Sequence, residues 1–206
     1  MAQFFQIHPN NPQQRLVRQA VELLKDGGVI AYPTDSSYAL GCTIGNKEAM
    51  ESIRRIRKVD DDHNFTLVCR DLSELSLYAR VNNETYRLLK RFTPGPYTFI
   101  LTATREVPRR LQHPKKKTIG LRVPDFPIVS ALLGELNEPL LSSTLILPGQ
   151  DLPMNDAEQI REQLEHSVAG IIDGGPCDLE PTTVVDLVGV VPEVLRHGKG
   201  ESASFS

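Results

Sequence analysis

Four groups of polar residues interrupt otherwise apolar stretches of this chain. The stretch "IAYPTDSSYALGC", residues 30–42, holds the hydroxyls of Thr34, Ser36, Ser37 and Tyr38 and the carboxylate of Asp35 between two apolar runs. Ser142, Ser143 and Thr144 sit inside the apolar run "PLLSSTLI", and Thr182 and Thr183 stand before "VVDLV". The fourth group is cationic: Arg57 with Lys58, Arg122, and Arg196. Hydroxyls donate and accept, so they suit carboxylates, sugar hydroxyls and phosphate oxygens. Arginine adds a forked donor for carboxylate and phosphate. Each group also has a plain structural reading, because Ser and Thr favour strands and turns and a charge run is usually a solvated face. For Thr34 to Tyr38 the alternatives are a turn that satisfies its own backbone and the floor of a site.

Other candidates carry less chemistry. "PRRLQHPKKK", residues 108–117, gathers Arg109, Arg110, Lys115, Lys116 and Lys117 around His113, and reads as a mobile basic loop able to clamp phosphates. Asp60, Asp61 and Asp62 are consecutive, so in an extended chain their side chains alternate sides, which argues against joint metal ligation. The five histidines show no ligand spacing. G-x-S-x-G, Walker and G-x-G-x-x-G signatures are absent. The residues alone therefore describe an α/β domain with a hydroxyl-and-arginine pocket for a small anion or nucleotide.

The elements that must hold this pocket follow from periodicity. The chain has 206 residues and 40% hydrophobic content, enough for a substantial core. Its net charge of -3 gives no overall field for nucleic acid. No apolar run approaches the ~18 residues that cross a bilayer, and "MAQFFQIHPNN" lacks a basic leader, so a cytoplasmic location without membrane attachment is expected. Cys42, Cys69 and Cys177 are read as buried free thiols. Helical periods cover residues 11–26, with Asn11 as N-cap and Pro12 in the first turn, and residues 46–59. "LSELSLYARV", "NETYRLLKRF", "PIVSALLGELN" and "DAEQIREQLEH", the last capped near Asn155, are further helices. Strands are predicted at "VIAYP", 65–70, 94–103, 118–124, 139–146, "VAGIIDGG", "TTVVDLV" and "PEVLRHG". The continuous apolar character of 65–70 makes that strand central. This order predicts one α/β (α+β) domain over residues 1–206, a mixed sheet flanked by helices, with a core at about 10–200 and a frayed tail at 201–206.

"PTDSSYALGC", "TPGPYTFIL", "TIGLRVPDFP", "PLLSSTLILPG" and "TTVVDL…EVLRHG" fall in the order and spacing of the YrdC-like family, and the chain most resembles its YciO branch. The resemblance implies a twisted, open sheet with a concave basic face. It implies L-threonine, bicarbonate and ATP with Mg²⁺ as partners in making threonylcarbamoyl-AMP, the precursor of a modified adenosine in certain tRNAs, and double-stranded RNA as a further partner. By position, Thr34 matches a hydroxyl of the threonine pocket and Arg122 the arginine for the threonine carboxylate, with Ser142 and Thr182 nearby. Arg57, Thr118, Thr144 and Arg196 match positions facing ATP, with Lys58 beside Arg57. The basic segment Arg109, Arg110 and Lys115 to Lys117 would meet RNA.

The chain also departs from the synthase pattern. Where the synthases carry Lys-x-Arg followed by proline, it has Arg57, Val59 and Asp60. Where they carry Ser-x-Asn, it has Thr144-Leu145-Ile146. One charge-assisted hydrogen bond is worth about 1.5–3 kcal/mol, or roughly one to two decades in rate if made only in the transition state. Two readings stand: a synthase weakened on its phosphate side, and an RNA- or nucleotide-binding protein that has lost the reaction.

Overall fold

The computed structural model describes residues 1–61 and 63–205, so Asp62 of the aspartate run and Ser206 of the tail lie outside the described residues. Among the described residues, ten strands and six α-helices follow one another along the chain. They are β1 (Gln3–Gln6), α1 (Gln14–Lys25), β2 (Ile30–Tyr32), β3 (Ala39–Thr43), α2 (Lys47–Arg57), β4 (Thr66–Val68), α3 (Leu72–Tyr78), α4 (Asn83–Phe92), β5 (Tyr97–Thr102), β6 (Thr118–Arg122), α5 (Pro127–Leu136), β7 (Leu140–Thr144), α6 (Ala157–Leu164), β8 (Gly170–Asp173), β9 (Thr183–Asp186) and β10 (Glu193–Arg196). All the strands join one mixed sheet in the order β1-β8-β2-β3-β7-β4-β6-β5-β9-β10. β4 pairs parallel with β6 and antiparallel with β7, the central position expected of its apolar run. None of the described helices is long and apolar enough to cross a membrane.

The helices form unequal layers. Val17, Ala20, Val21 and Leu24 of α1 and Ile128, Val129, Leu132, Leu133 and Leu136 of α5 share an apolar cluster with Phe5, Ile30, Tyr32, Leu140, Ile172 and Val68. The opposite face is covered from end to end. Met50 and Ile53 of α2, Ile160 of α6, Leu75 of α3 and Leu89 of α4 join Leu40, Leu141, Leu67, Leu121, Phe99 and Val185 there. The α1–α5 layer reaches across the sheet only as far as Val68. Beyond it, register places Ser142, Thr66, Gly120, Ile100 and Asp186 in one row on the same face, because directly paired residues project to the same side. This uncovered face carries the cavity described below.

Local chemistry corrects several sequence expectations. Helix α1 begins after Gln13, not Asn11. His8 Nδ1 accepts the backbone N–H groups of Asn10 and Asn11 at 3.2 and 3.1 Å, which fixes that segment as a turn before the helix. Gly27, at φ +89°, ends α1 in the left-handed region that glycine tolerates. Helix α6 is capped by Asp156, whose side chain accepts from Gln159 N at 3.0 Å, one residue beyond the expected Asn155. β1 and β3 lay outside the expected strands. β3 folds back on β2, pairing Ile30 with Gly41 and Tyr32 with Ala39. A Cβ on Gly41 would come within 2.8 Å of the Tyr32 ring, so glycine is what allows the two strands to meet there. The tail does not fray at Phe205, which is buried against Phe92 and Tyr97 with ring centroids 4.4 and 5.9 Å away. Burying one aromatic ring outweighs the ordering of a few small residues.

Candidate functional site

The uncovered face of β7, β4, β6, β5 and β9 forms the floor of a cavity of about 490 Å³, within the range of small-molecule sites. Its walls come from the turn after β2, the end of α2, the segment before β6 and the β9–β10 hairpin.

One end is built around Arg122. The residue is 8% exposed, its Nη2 is ion-paired with Asp35, and its Nη1 donates to Ser36 Oγ at 3.4 Å. Its Nε is buried and has no hydrogen-bond partner among the described residues. The second Asp35 oxygen accepts Asp125 N–H at 2.9 Å, so one carboxylate ties the 34–38 turn to the loop after β6. Thr34 Oγ1 donates to Ser37 O at 2.7 Å and accepts from Ser36 N at 3.1 Å. The turn therefore satisfies its own backbone and also presents Asp35 and Ser36 to Arg122. Ser142 Oγ lies 2.6 Å from Tyr32 Oη and 3.2 Å from Leu40 O, and burial pushes the Tyr32 phenol up to about 12. Thr182 Oγ1 is 2.9 Å from Thr98 Oγ1, and Arg196 donates to the Thr182 carbonyl from Nε at 3.1 Å and Nη2 at 2.8 Å. Burial, and then repulsion from Arg122, lowers the Arg196 pKa. Lys199, outside the cavity lining, donates to Asp35 O at 2.7 Å and pairs with Asp178.

The other end is built around Arg57. Its Nη1 donates to Ser143 Oγ at 2.5 Å and lies 3.0 Å from His63 Nε2, while His63 Nε2 is 2.8 Å from Ser143 Oγ. Burial, followed by repulsion from Arg57 and Arg54, lowers the His63 pKa to about 4. Phe65 meets the imidazole edge-on at 5.3 Å. Ile146 also lines the cavity, and its carbonyl accepts from Arg57 Nε at 3.4 Å. Val59 N–H bonds to Arg54 O at 3.2 Å, closing α2 behind Lys58, which takes the left-handed cap at φ 50°.

Arg57, Thr118, Arg122, Ser142, Thr144, Thr182 and Arg196 all border this one cavity. Thr34 stands behind it in the turn, and Lys58 is exposed at the cap, outside the cavity wall. Lys116 borders the cavity with His113, whereas Arg109, Arg110, Lys115 and Lys117 lie outside its lining. The basic segment is an anchored turn, not a free loop. Leu111 is buried, His113 Nδ1 accepts from Lys115 N and Lys116 N, and Lys117 N bonds to His113 O at 2.9 Å. Sequence reasoning missed His63, Thr66, Thr98, Asp186 and Lys199. His63 had a readable signal, six residues after Arg57 and just ahead of an apolar strand. Lys199 had none, because its partners are remote in sequence. No group of three His, Cys, Asp or Glu able to hold a metal occurs among the described residues.

The family model Sua5_yciO_yrdC, described as "Telomere recombination", matches residues 22–198. The chain is 58% identical over 205 residues to the protein called "Uncharacterized protein YciO" of Escherichia coli (strain K12), covering all of both. The crystal structure of E. coli YciO superposes with a TM-score of 0.96 over the full length of both chains. A threonylcarbamoyl-AMP synthase of Bacillus subtilis (strain 168) is 30% identical over 94% of this chain and 55% of the synthase. P. abyssi Sua5 complexed with L-threonine is 25% identical, with a TM-score of 0.86 over 95% of this chain and 57% of that one.

Proposed function

The chain belongs to the Sua5/YciO/YrdC family, and from that premise we propose that its cleft binds ATP and L-threonine as a threonylcarbamoyl-AMP synthase weakened on the phosphate side. The carrying observation is that Arg57, Arg122 and Arg196, brought from three distant parts of the chain, border one cavity with the hydroxyls of Thr118, Ser142, Thr144 and Thr182. In this reading Arg122 receives the amino-acid carboxylate from the cavity side, with Asp35 holding the fork. Arg57 and Arg196 neutralise phosphate oxygens, and Mg²⁺ arrives with the triphosphate. No covalent protein intermediate is required; the chain's part is orientation and electrostatic stabilisation. Val59 and Ile146 stand where the synthases carry an arginine and an asparagine, so turnover is expected to be slow.

Incubation with ATP, Mg²⁺, bicarbonate and L-threonine should release pyrophosphate and give threonylcarbamoyl-AMP by mass. Product no greater than with the Arg122→Ala variant would reject the synthase reading.

The cavity-side placement of Lys116, on a turn shared with Arg110 and Lys115, supports a second reading as a binder of double-stranded RNA or tRNA. Affinity for an RNA duplex should then fall steeply with salt, and Lys115→Glu with Lys116→Glu should weaken it. A salt-independent affinity would remove that reading.

A further inference from the structure

Arg57, His63 and Ser143 meet at 2.5, 2.8 and 3.0 Å, so three hydrogen-bonding groups converge on one point of the cavity wall. A guanidinium only donates. It donates to Ser143 Oγ, and that oxygen either gives its hydrogen to a bare His63 Nε2 or accepts from a His63 Nε2–H; the ring is neutral in both tautomers. A protonated ring would set a second cation 3.0 Å from Arg57 Nη1 with no acceptor between them except the serine oxygen. The trio thus points several hydrogens at one place beside a fixed guanidinium. An oxyanion seated there accepts from Arg57 and Ser143, and from His63 through a hydrogen on Nε2, most strongly when the ring is charged.

We propose that Arg57, His63 and Ser143 form a proton-gated phosphate clamp, in which His63 takes a proton from solvent as a phosphate dianion seats and becomes the second cation that Val59 does not supply. The inference rests on the reading of this end of the cleft as the phosphate side.

The charges around His63 fit the role. Arg57 and Arg54 face it from α2, Asp60 from the following loop, Phe65 from the start of β4 and Ser143 from β7. Arg54 is already engaged by Glu51 at 2.8 Å and Asp61 at 3.6 Å, which leaves Arg57 as the near cation. Lys116 borders the same cavity and adds positive potential. Burial, then these arginines, hold the imidazole near 4. A bound dianion cancels Arg57 and attracts the proton, so the midpoint must rise on binding. Ligand and proton then bind together, and affinity grows as pH falls through the window between the free and bound midpoints.

Sulfate is the cleanest probe, because it does not titrate in this range. The Cε1–H resonance of His63, identified by its loss in His63→Asn, should titrate near 4 in the free protein. At saturating sulfate it should move up by about one unit or more, with sulfate affinity rising up to about tenfold per pH unit inside the window. His63→Asn should flatten that slope, and His63→Lys should bind sulfate without proton uptake. A His63 midpoint unmoved by saturating sulfate, or an unchanged slope in His63→Asn, would overturn the clamp. The same titration with ATP separates the two ideas. ATP bound with His63 unmoved strikes the clamp and leaves the nucleotide reading. A His63 shift with sulfate but no ATP binding supports the clamp and strikes the nucleotide reading.

Discussion

The two halves of the sheet obey the same pleat and meet different fates. β2 and β8, between α1 and α6, are apolar on both faces, and Ile30, Ala31, Tyr32, Ile171 and Ile172 are fully buried. β5 alternates. Phe99 and Leu101 turn to the helix-covered side, while Thr98, Ile100 and Thr102 face the cavity side, where the α1–α5 layer has ended. The candidate site here arises from an omitted layer. A strand covered on one face is free to carry hydroxyls and arginines on the other, where water and ligand can satisfy them. Arg122 sits on the seam, in register with Val68, the last residue of the covered cluster on that face.

That contrast can be broken at the seam first. Arg122→Ala should abolish ATP-dependent pyrophosphate release and also destabilise by about 3–5 kcal/mol in a urea titration, because it strands the buried Asp35 carboxylate. A purely functional loss, with stability unchanged, would mean that the ion pair is not structural. Leu132→Ala, in the covered half, should cost about 3 kcal/mol through the cavity it leaves, with ATP affinity of the folded protein intact. If ATP affinity fell in parallel, the halves would not be separable. Val59→Arg with Ile146→Asn should raise pyrophosphate release roughly ten- to a hundredfold, equivalent to about 1.4–2.8 kcal/mol, without a matching change in stability. Asn46→Ala removes the side-chain cap that accepts from Ala49 N at 2.9 Å and should cost about 1 kcal/mol, with no effect in the cleft. The smallest effect is one of pH. Folded His63 stays neutral down to about 4 whereas the unfolded ring protonates near its ordinary value of 6.5, so stability should decline as pH falls between those values. His63→Asn should make that limb shallower.

The covered half was readable in the sequence because its elements repeat one instruction many times. The α1 and α5 apolar faces and the run at 65–70 each carry several concordant residues. What was missed depended on single atoms or remote partners. The Asn11 cap lost to a turn held by one histidine nitrogen. β3 was hidden because the polar turn ahead of it disguised a hairpin. In the site, Arg122 and the hydroxyl clusters could be picked out by residue type, but Asp35 as the arginine's partner could not, since 87 residues separate them. The departures at Val59 and Ile146 were visible in the sequence. Ser143 as the shared partner of Arg57 and His63 emerged only when α2 and β7 were brought together in space.

The strand order carries a consequence for how the molecule comes into being. β9, which completes the cavity floor, pairs with β5 across more than eighty intervening residues, and Arg196 and Lys199 stand beyond it near the end of the chain. The hollow is therefore assembled from both ends of its sequence: the Arg57 end needs nothing beyond β7, whereas the Arg122 end is closed only when the β9–β10 hairpin lies against β5.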